Sequence, residues 1–205
     1  MAPERDALLV DFGGVLTSDV FASFADFCDR EGIASDTVRR RFAADPHARG
    51  LLEELECGRI DEAEFEPRFA ELLGVEPERL IDRLFAGMTP DETMLEGVRT
   101  ARRRGVCTGL LSNSWGAGRY DRAAFGELFD ATVISGEVGI RKPAPEIYAL
   151  AAKRMQRAPE RCVFVDDLPG NLKPASTLGM ATVLHRDAEQ TLGELEELLG
   201  VSLGP

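Results

Sequence analysis

The sequence lacks the long apolar runs and the closely spaced metal-binding residues that define several classes of protein. No stretch approaches the ~18 apolar residues that a membrane span requires, and no basic-then-apolar signal segment is recognisable. The four cysteines, Cys28, Cys57, Cys107 and Cys162, are widely separated and show no CxxC spacing. They predict buried free thiols and argue against a zinc site or a disulfide framework. We therefore expect a cytoplasmic protein with no membrane partner.

Positive charge is also scarce. The chain has 24 lysine and arginine residues against 36 aspartate and glutamate residues, and its formal net charge is -12. This excess would repel a phosphate backbone, which argues against a nucleic-acid partner. A phosphate group bound here must meet a local positive site. Arg39, Arg40 and Arg41, or Arg119 beside Tyr120, could supply one, but solvent exposure explains such arginines more simply.

Four short apolar runs rich in β-branched residues predict buried strands. They lie at 8–11, 106–112, 162–166 and 181–184, with a weaker fifth at 132–135. Their continuous apolar character is typical of parallel strands that are covered on both faces. Segments with helical spacing follow these strands. The pattern predicts an α/β protein with a Rossmann-like parallel sheet, in which ligands bind beyond the carboxyl ends of the strands.

Roughly 90 residues separate the first two predicted strands, far more than one crossover connection needs. Amphipathic stripes at 21–28, 51–55, 65–73 and 80–85 fill this gap. We predict that residues 16–89 form a small helical domain inserted into a core domain of residues 1–15 and 90–205. Pro67 interrupts the third stripe and predicts a helix that begins late or bends there.

Three carboxylates fall at the predicted ends of strands. Asp11 closes the first strand, in the stretch LLVDFGGVL, and the adjacent Asp166 and Asp167 close the fourth. We expect them at one edge of the sheet, where clustered carboxylates repel one another unless a cation such as Mg²⁺ lies between them. The Leu-Pro-Gly-Asn that follows Asp167 is equally typical of an ordinary turn.

Two further polar segments lie between the predicted strands. Ser112 and Asn113 end the second strand and offer donors to an oxyanion, although capping of the next helix is the simpler explanation of these residues taken alone. Lys142 lies in the proline-braced segment GIRKPAP. It is either a solvated surface lysine or one directed at the carboxylates, where it would hold a phosphoryl group.

The order and spacing of these motifs resemble the haloacid dehalogenase (HAD) superfamily of hydrolases. A strand-terminal Asp, then Ser-Asn, then Lys-Pro, then Asp-Asp-x-x-x-Asn extend over nearly the whole chain. The segments LLSNSWG, GIRKPAPEIY and VFVDDLPGNLKPASTLGMATVL are most similar to the subgroup that contains the amino-terminal phosphatase domain of soluble epoxide hydrolase. Each motif alone is weak, whereas four in order are specific. The helical cap of this family matches the predicted insertion.

The resemblance implies a Mg²⁺-dependent phosphatase of small organic phosphates. Asp11 would be the nucleophile that forms an aspartyl-phosphate. The metal would be held by Asp11, the Gly13 carbonyl and Asp167. The partner would be a small phosphorylated substrate, and the choice between a monomer and a homodimer is left open.

The other motif residues would act on the phosphoryl group or support the site. Ser112 and the Asn113 backbone would bind phosphoryl oxygens, and Lys142 would neutralise the charge that develops there. Asp166 would orient Lys142 or a water at the metal, and Asn171 would support the loop that follows.

The sequence departs from the family at Gly13. Family phosphatases usually carry a second Asp two residues after the nucleophile, as the general acid for the leaving oxygen. A Gly13 carbonyl still suits a metal, but no side chain is left to move a proton, a contribution worth roughly 10²–10⁴-fold. Two alternatives to the phosphatase therefore stay open: a metal-independent dehalogenase, whose halide leaving group needs no proton, and a non-catalytic binding protein. The pair Asp166-Asp167 argues against the dehalogenase, and the full set of motifs argues against the binding protein.

Overall fold

The computed structural model describes residues 5–116, 120 and 122–204. Its centre is a five-stranded sheet in the order β3-β2-β1-β4-β5, in which every neighbouring pair is parallel. The predicted parallel α/β sheet is confirmed, with every strand within one residue of its predicted position. The strands are β1 (Ala7–Val10), β2 (Cys107–Ser112), β3 (Ala131–Ile134), β4 (Cys162–Asp166) and β5 (Ala181–Leu184).

The register aligns the carboxyl ends of the central strands. Val10 of β1 pairs with Leu110 of β2 on one side and with Val165 of β4 on the other. The next residue, Asp11, donates its N–H to the Val165 carbonyl at 2.9 Å. The residues that follow β1, β2 and β4 therefore meet at one edge of the sheet.

Helices cover both faces of this sheet and fill the long connection after β1. Aspartates at positions 19, 45, 61, 91 and 187 each accept a backbone N–H from the first turn of the helix that follows, which stabilises its start. The helices are α1 (Val20–Glu31), α2 (Thr37–Ala44), α3 (Pro46–Glu56), α4 (Glu62–Leu73), α5 (Leu80–Leu84), α6 (Glu92–Arg103), α7 (Arg122–Leu128), α8 (Ser135–Val138), α9 (Pro145–Arg154), α10 (Pro169–Thr177) and α11 (Ala188–Leu199).

Side chains of β1 alternate between two hydrophobic clusters, one on each face of the sheet. Leu8 and Val10 pack in the cluster that includes α6 and α11, whereas Ala7 and Leu9 pack in the cluster that includes α9. All four are at most 1% exposed. Burial on both faces explains why the strand is a continuous apolar run.

Helices α1 to α5, which we call the helical segment (residues 20–85), have a hydrophobic cluster of their own. The two chains that join this segment to the sheet run side by side: Thr17 and Pro90 form an antiparallel bridge, and Ser18 donates its N–H to the Thr89 carbonyl at 2.8 Å. This arrangement accords with an inserted unit. The division into a core domain and a cap domain at the stated boundaries stays a prediction.

Two expectations about prolines are decided by the structure: the late start of the helix at Pro67, which is wrong, and the turn after Asp167. Helix α4 does not begin late: it starts at Glu62 and continues through Pro67 to Leu73. The Asp61 cap and the buried Phe65 and Phe69 hold the helix together on both sides of the proline. The Leu-Pro-Gly-Asn segment begins α10, with Pro169 in the first turn, where a missing N–H costs nothing.

The remaining expectations from composition concern cysteines and membrane spans. All four cysteines are free; three are buried, and Cys107 is half-buried because it begins β2. Among the described residues, no helix has the length and apolarity that crossing a membrane requires.

Candidate active site

A buried lysine joins two of the strand-end carboxylates. The Nζ atom of Lys142 lies 2.8 Å from Oδ1 of Asp11 and 2.7 Å from Oδ2 of Asp166. Lys142 is 1% exposed and Asp166 is fully buried. Of the two interpretations of Lys142, the structure therefore supports the one in which the lysine is directed at the carboxylates.

The Asp166 carboxylate is fully engaged by its neighbours. Asn171, in the first turn of α10, donates its amide to both carboxylate oxygens at 3.0 and 3.1 Å. Oδ1 also accepts the Leu168 N–H at 2.9 Å. The Tyr148 hydroxyl donates to the Asn171 carbonyl at 2.7 Å and so fixes the turn. These bonds leave Asp166 suited to positioning Lys142.

Asp167 brings a third carboxylate to the same place. One oxygen from each of Asp11, Asp166 and Asp167 lies within 4.8 Å of the others. Gly14 makes room for this cluster, because a Cβ on its left-handed backbone (φ 76°) would lie 2.6 Å from Oδ2 of Asp167. Hard carboxylate oxygens at this separation fit Mg²⁺, and since Asp166 is engaged, Asp11 and Asp167 are the side chains that would hold it.

Burial and like charge destabilise the ionised carboxylates. Burial raises the pKa of Asp11; Lys142 opposes this shift, and the charges of Asp166 and Asp167 add to it. Burial also raises the pKa of Asp167 to about 6. Burial opposes the charge on Lys142, but the two carboxylates outweigh it and its pKa is raised. A bound cation would relieve the repulsion among these carboxylates.

Ser112 and Asn113 lie at the same edge of the sheet but make different contacts. The Ser112 hydroxyl lies 2.9 Å from the hydroxyl of Tyr120. Burial raises the pKa of Tyr120 to about 12, which keeps it neutral. The Asn113 side chain accepts the Lys142 N–H at 2.8 Å and donates to the Lys142 carbonyl at 3.1 Å. The amide therefore holds the lysine loop in place, a contact that the sequence analysis did not anticipate.

The structure adds a pair of charged residues that the sequence analysis missed. Glu56, at the end of α3, is buried, and its Oε2 lies 2.8 Å from Nε of Arg141. Asn113 also donates to Oε2, at 3.4 Å. Burial raises the pKa of Glu56 to about 7, against the attraction of Arg141 and Lys142. Its position four residues after Leu52, on an apolar helix face, is the signal that could have identified it.

These residues surround a cavity of about 410 Å³ between the sheet edge and the helical segment. The floor is polar, and the wall is built largely from apolar side chains of the helical segment and of the loops after β2 and β4. The cavity is lined by Asp11, Phe12, Gly13, Val20, Phe21, Leu52, Glu56, Phe85, Met88, Ser112, Asn113, Trp115, Gly116, Tyr120, Arg141, Lys142, Asp167, Leu168 and Asn171.

Of the arginines considered as phosphate contacts, Arg39, Arg40 and Arg41 do not line this cavity. Arg40 and Arg41 are exposed and lie 3.8 and 3.3 Å from aspartates of their own helix turn. The exposed Arg39 places its guanidinium over the Phe21 ring, 5.5 Å from the centroid. Arg119 lies outside the described residues.

The known proteins that this chain resembles include an epoxide hydrolase and a phosphatase. Bifunctional epoxide hydrolase 2 from Sus scrofa is 34% identical over 131 residues, which are 60% of this chain and 24% of that protein. Glyceraldehyde 3-phosphate phosphatase from Methanopyrus kandleri is 30% identical over 51% of this chain and 47% of its own length. The chain thus spans about a quarter and about half of these two relatives.

A solved HAD family enzyme from Bacteroides thetaiotaomicron, in complex with magnesium and inorganic phosphate, has the same fold. Its TM-score is 0.66 at 24% identity, over 89% of this chain and 94% of that one. The sequence profile of haloacid dehalogenase-like hydrolases matches residues 5–179. The chain therefore belongs to the haloacid dehalogenase-like hydrolase family.

Proposed function

We propose that the protein is a Mg²⁺-dependent phosphatase of small organic phosphates that acts through an aspartyl-phosphate on Asp11. The observation that supports this proposal is the cluster at the cavity floor, where Lys142 lies between Asp11 and Asp166. Asp167 brings a third carboxylate oxygen within 4.8 Å of theirs, a separation that a cation fits. The relatives include a phosphatase, and the Bacteroides enzyme has the same fold and was solved with magnesium and phosphate.

In the first step, a carboxylate oxygen of Asp11 attacks phosphorus and the ester P–O bond breaks. The Ser112 hydroxyl and the Asn113 N–H hold the phosphoryl oxygens, and the Lys142 ammonium stabilises the negative charge that develops on them. The leaving oxygen departs with the bonding electron pair and takes a proton from a solvent water. In the second step, a water oxygen attacks phosphorus and gives its proton to solvent while the P–O bond to Asp11 breaks, which releases phosphate and restores the Asp11 carboxylate.

The residues around the nucleophile set its charge and position. Asp11 and Asp167 would hold Mg²⁺, with the Gly13 carbonyl as the predicted third ligand. When bound, the cation would supply positive charge that offsets the carboxylates and the negative charge of the phosphoryl oxygens. Asp166 and Asn171 keep Lys142 in place. Gly13 has no group to protonate the leaving oxygen, so aryl phosphates, with their good leaving groups, should be the fastest substrates.

Release of phosphate from an aryl phosphate tests this proposal. We expect activity with Mg²⁺, its loss on addition of a chelator, and a decrease of at least about 10³-fold for Asp11→Asn. Asp29→Asn, an exposed change in α1, is the matched control and should keep full activity. Activity that survives both the chelator and Asp11→Asn would contradict the proposal, and halide release without metal would favour a dehalogenase.

A further inference from the structure

The cavity has a wall that a phosphoryl group alone does not need. Its volume of about 410 Å³ lies within the range of pockets that bind whole organic ligands. The polar residues of the floor lie at the sheet edge. Seven large apolar side chains form the wall beyond them: Val20, Phe21, Leu52, Phe85, Met88, Trp115 and Leu168.

The polar groups next to this wall are already paired with one another. Glu56 pairs with Arg141 at 2.8 Å, and the Ser112 and Tyr120 hydroxyls lie 2.9 Å apart. The Asn113 amide is engaged by the Lys142 backbone. The hydroxyl groups of a sugar or polyol would lose hydration on entering and meet carbon atoms, which costs binding free energy. The wall therefore favours a ligand with a hydrocarbon group.

The mouth of the cavity gives an independent indication. Among the described residues, the exposed large hydrophobic side chains are Phe21 (36%) and Leu168 (39%), and both line this cavity. Scattered exposed hydrophobics are ordinary on a protein surface. Two that flank one opening, continuous with an apolar wall, indicate a surface that an apolar ligand covers. The Arg39 guanidinium lies over the Phe21 ring, 5.5 Å from its centroid.

We propose that the substrate is a phosphate monoester of an apolar alcohol, whose hydrocarbon part packs against this wall while its phosphoryl group meets Asp11. This inference rests on the proposed phosphatase function and names its substrate class. Burial of each methylene group should raise kcat/KM by up to about fourfold until the cavity is filled. A polyol chain of the same length should give no such increase.

The test is a series of straight-chain alkyl phosphates, from ethyl to octyl, with polyol phosphates of matched length. These primary alcohols have nearly the same leaving-group acidity, so the ratio of kcat/KM values isolates burial of the chain. We expect an increase of at least about tenfold from ethyl to hexyl phosphate, and none in the polyol series. Equal rates for all, or a preference for polyols, would overturn this inference alone. No phosphate release from any substrate, aryl phosphates included, would overturn the proposed function instead.

A binding experiment separates the two ideas further, because it needs no turnover. Trp115 is the single tryptophan of the chain and lines the cavity, so its fluorescence reports ligands there. Alkyl phosphonates, which cannot be hydrolysed, should bind with Mg²⁺ and bind more tightly as the chain lengthens. Leu168→Ser should reduce this chain-length dependence several-fold. Leu150→Ser, a half-buried leucine of α9 outside the cavity, is the control and should keep it. Affinity that does not change with chain length would contradict the inference.

Discussion

At the scale of single residues, we predict that Gly13 determines which phosphate esters react fastest. The backbone of Gly13 lies outside the left-handed region that Gly14 occupies, so it can accept a side chain. A Cβ there would lie 3.1 Å from Cγ2 of Val20, the first residue of α1. A β-branched side chain has little rotamer freedom and cannot move away easily. Val20 thus opposes the aspartate that family phosphatases usually carry.

This contact predicts how the missing acid can be restored. Gly13→Asp alone should crowd the site and lower activity, whereas Gly13→Asp with Val20→Ala should raise the alkyl-to-aryl ratio of kcat by about 10-fold or more, because a carboxyl can now protonate the leaving oxygen. Steady-state phosphate release from hexyl and aryl phosphates measures the ratio.

Asparagine provides the matched control for this experiment. Gly13→Asn with Val20→Ala fills the same space without a transferable proton, and its ratio should stay at the wild-type value. An equal rise for Asn and Asp would show that leaving-group protonation does not limit the rate.

We expect Glu56 to make the free energy of unfolding depend on pH. The pKa of Glu56 is about 7 in the folded protein against 4.5 for an ordinary glutamate, because burial disfavours its charge. Its neutral form therefore stabilises the fold fully below pH 4.5, and this contribution is lost as the pH rises through 7. The cost of ionisation reaches about 3 kcal/mol above pH 7. Its facing charges are Arg141, Lys142 and Glu53.

Substitution of this glutamate removes the pH-dependent cost. The free energy of unfolding of Glu56→Gln, relative to wild type, should rise by up to about 3 kcal/mol between pH 5 and pH 8, in urea titrations at both values. The constant cost of leaving Arg141 without its partner cancels in this difference. Glu71→Gln, an exposed change in α4 that is not among the charges facing Glu56, is the matched control and should show no such change. A difference that is the same at both pH values would exclude this assignment.

Much of the site was predictable because strand ends place residues together. Asp11, Ser112 and Asp166 meet because their strands are parallel neighbours in register. The hydrogen bonds between Asn113 and the Lys142 backbone and the position of Glu56 were not predictable, because both depend on how loops and a distant helix pack. The catalytic and binding roles of all these site residues stay predictions.

At the scale of elements, the strands followed directly from apolar runs, whereas prolines were harder to interpret. Pro169 begins α10 and Pro145 begins α9, as first-turn prolines commonly do. Pro67 lies inside α4, where it removes an N–H and crowds the Ala63 carbonyl. Sequence alone predicted an interruption there; the packing of Phe65 and Phe69 outweighs it.

This interior proline predicts a stabilising substitution. Pro67→Ala should raise the free energy of unfolding by about 2 kcal/mol, since the helix gains a hydrogen bond and loses a clash while the unfolded chain gains some entropy. The shift of the urea midpoint measures it. Pro46→Ala, in the first turn of α3, is the control and should not stabilise. An unchanged midpoint for Pro67→Ala would mean that α4 already accommodates the ring without strain.

At the scale of the whole molecule, Trp115 joins the sheet to the helical segment. It follows β2, yet its ring lies 5.6 Å from that of Phe24 and 5.1 Å from that of Phe85, inside the cluster of the helical segment. Gly58, two residues after α3, approaches the Gly136 carbonyl so closely that a Cβ on Gly58 would clash with the oxygen. Hydrophobic stripes predicted the helices but not these contacts, because periodicity does not say which elements meet.

Since the carboxylate cluster is a source of repulsion, Mg²⁺ should stabilise the whole fold. At 100 times its Kd the ion adds about 2.7 kcal/mol, which raises Tm by roughly 5–10 °C for a protein of this size. Asp167→Asn should abolish the increase, and Asp29→Asn should keep it. Thermal unfolding by circular dichroism, at matched ionic strength, measures the shift. An equal increase in Asp167→Asn would place the ion elsewhere.

The most direct test of the central claim is a search for phosphate bound covalently to Asp11. Because Gly13 leaves no side chain to activate water, the aspartyl-phosphate should break down slowly and accumulate during turnover of an aryl phosphate. Wild-type protein mixed with labelled substrate and Mg²⁺, then quenched in acid, should carry label on the peptide that contains Asp11 and lose it to hydroxylamine. Asp11→Asn should carry none. Phosphate release without labelled protein at any quench time, or equal label in Asp11→Asn, would contradict the account.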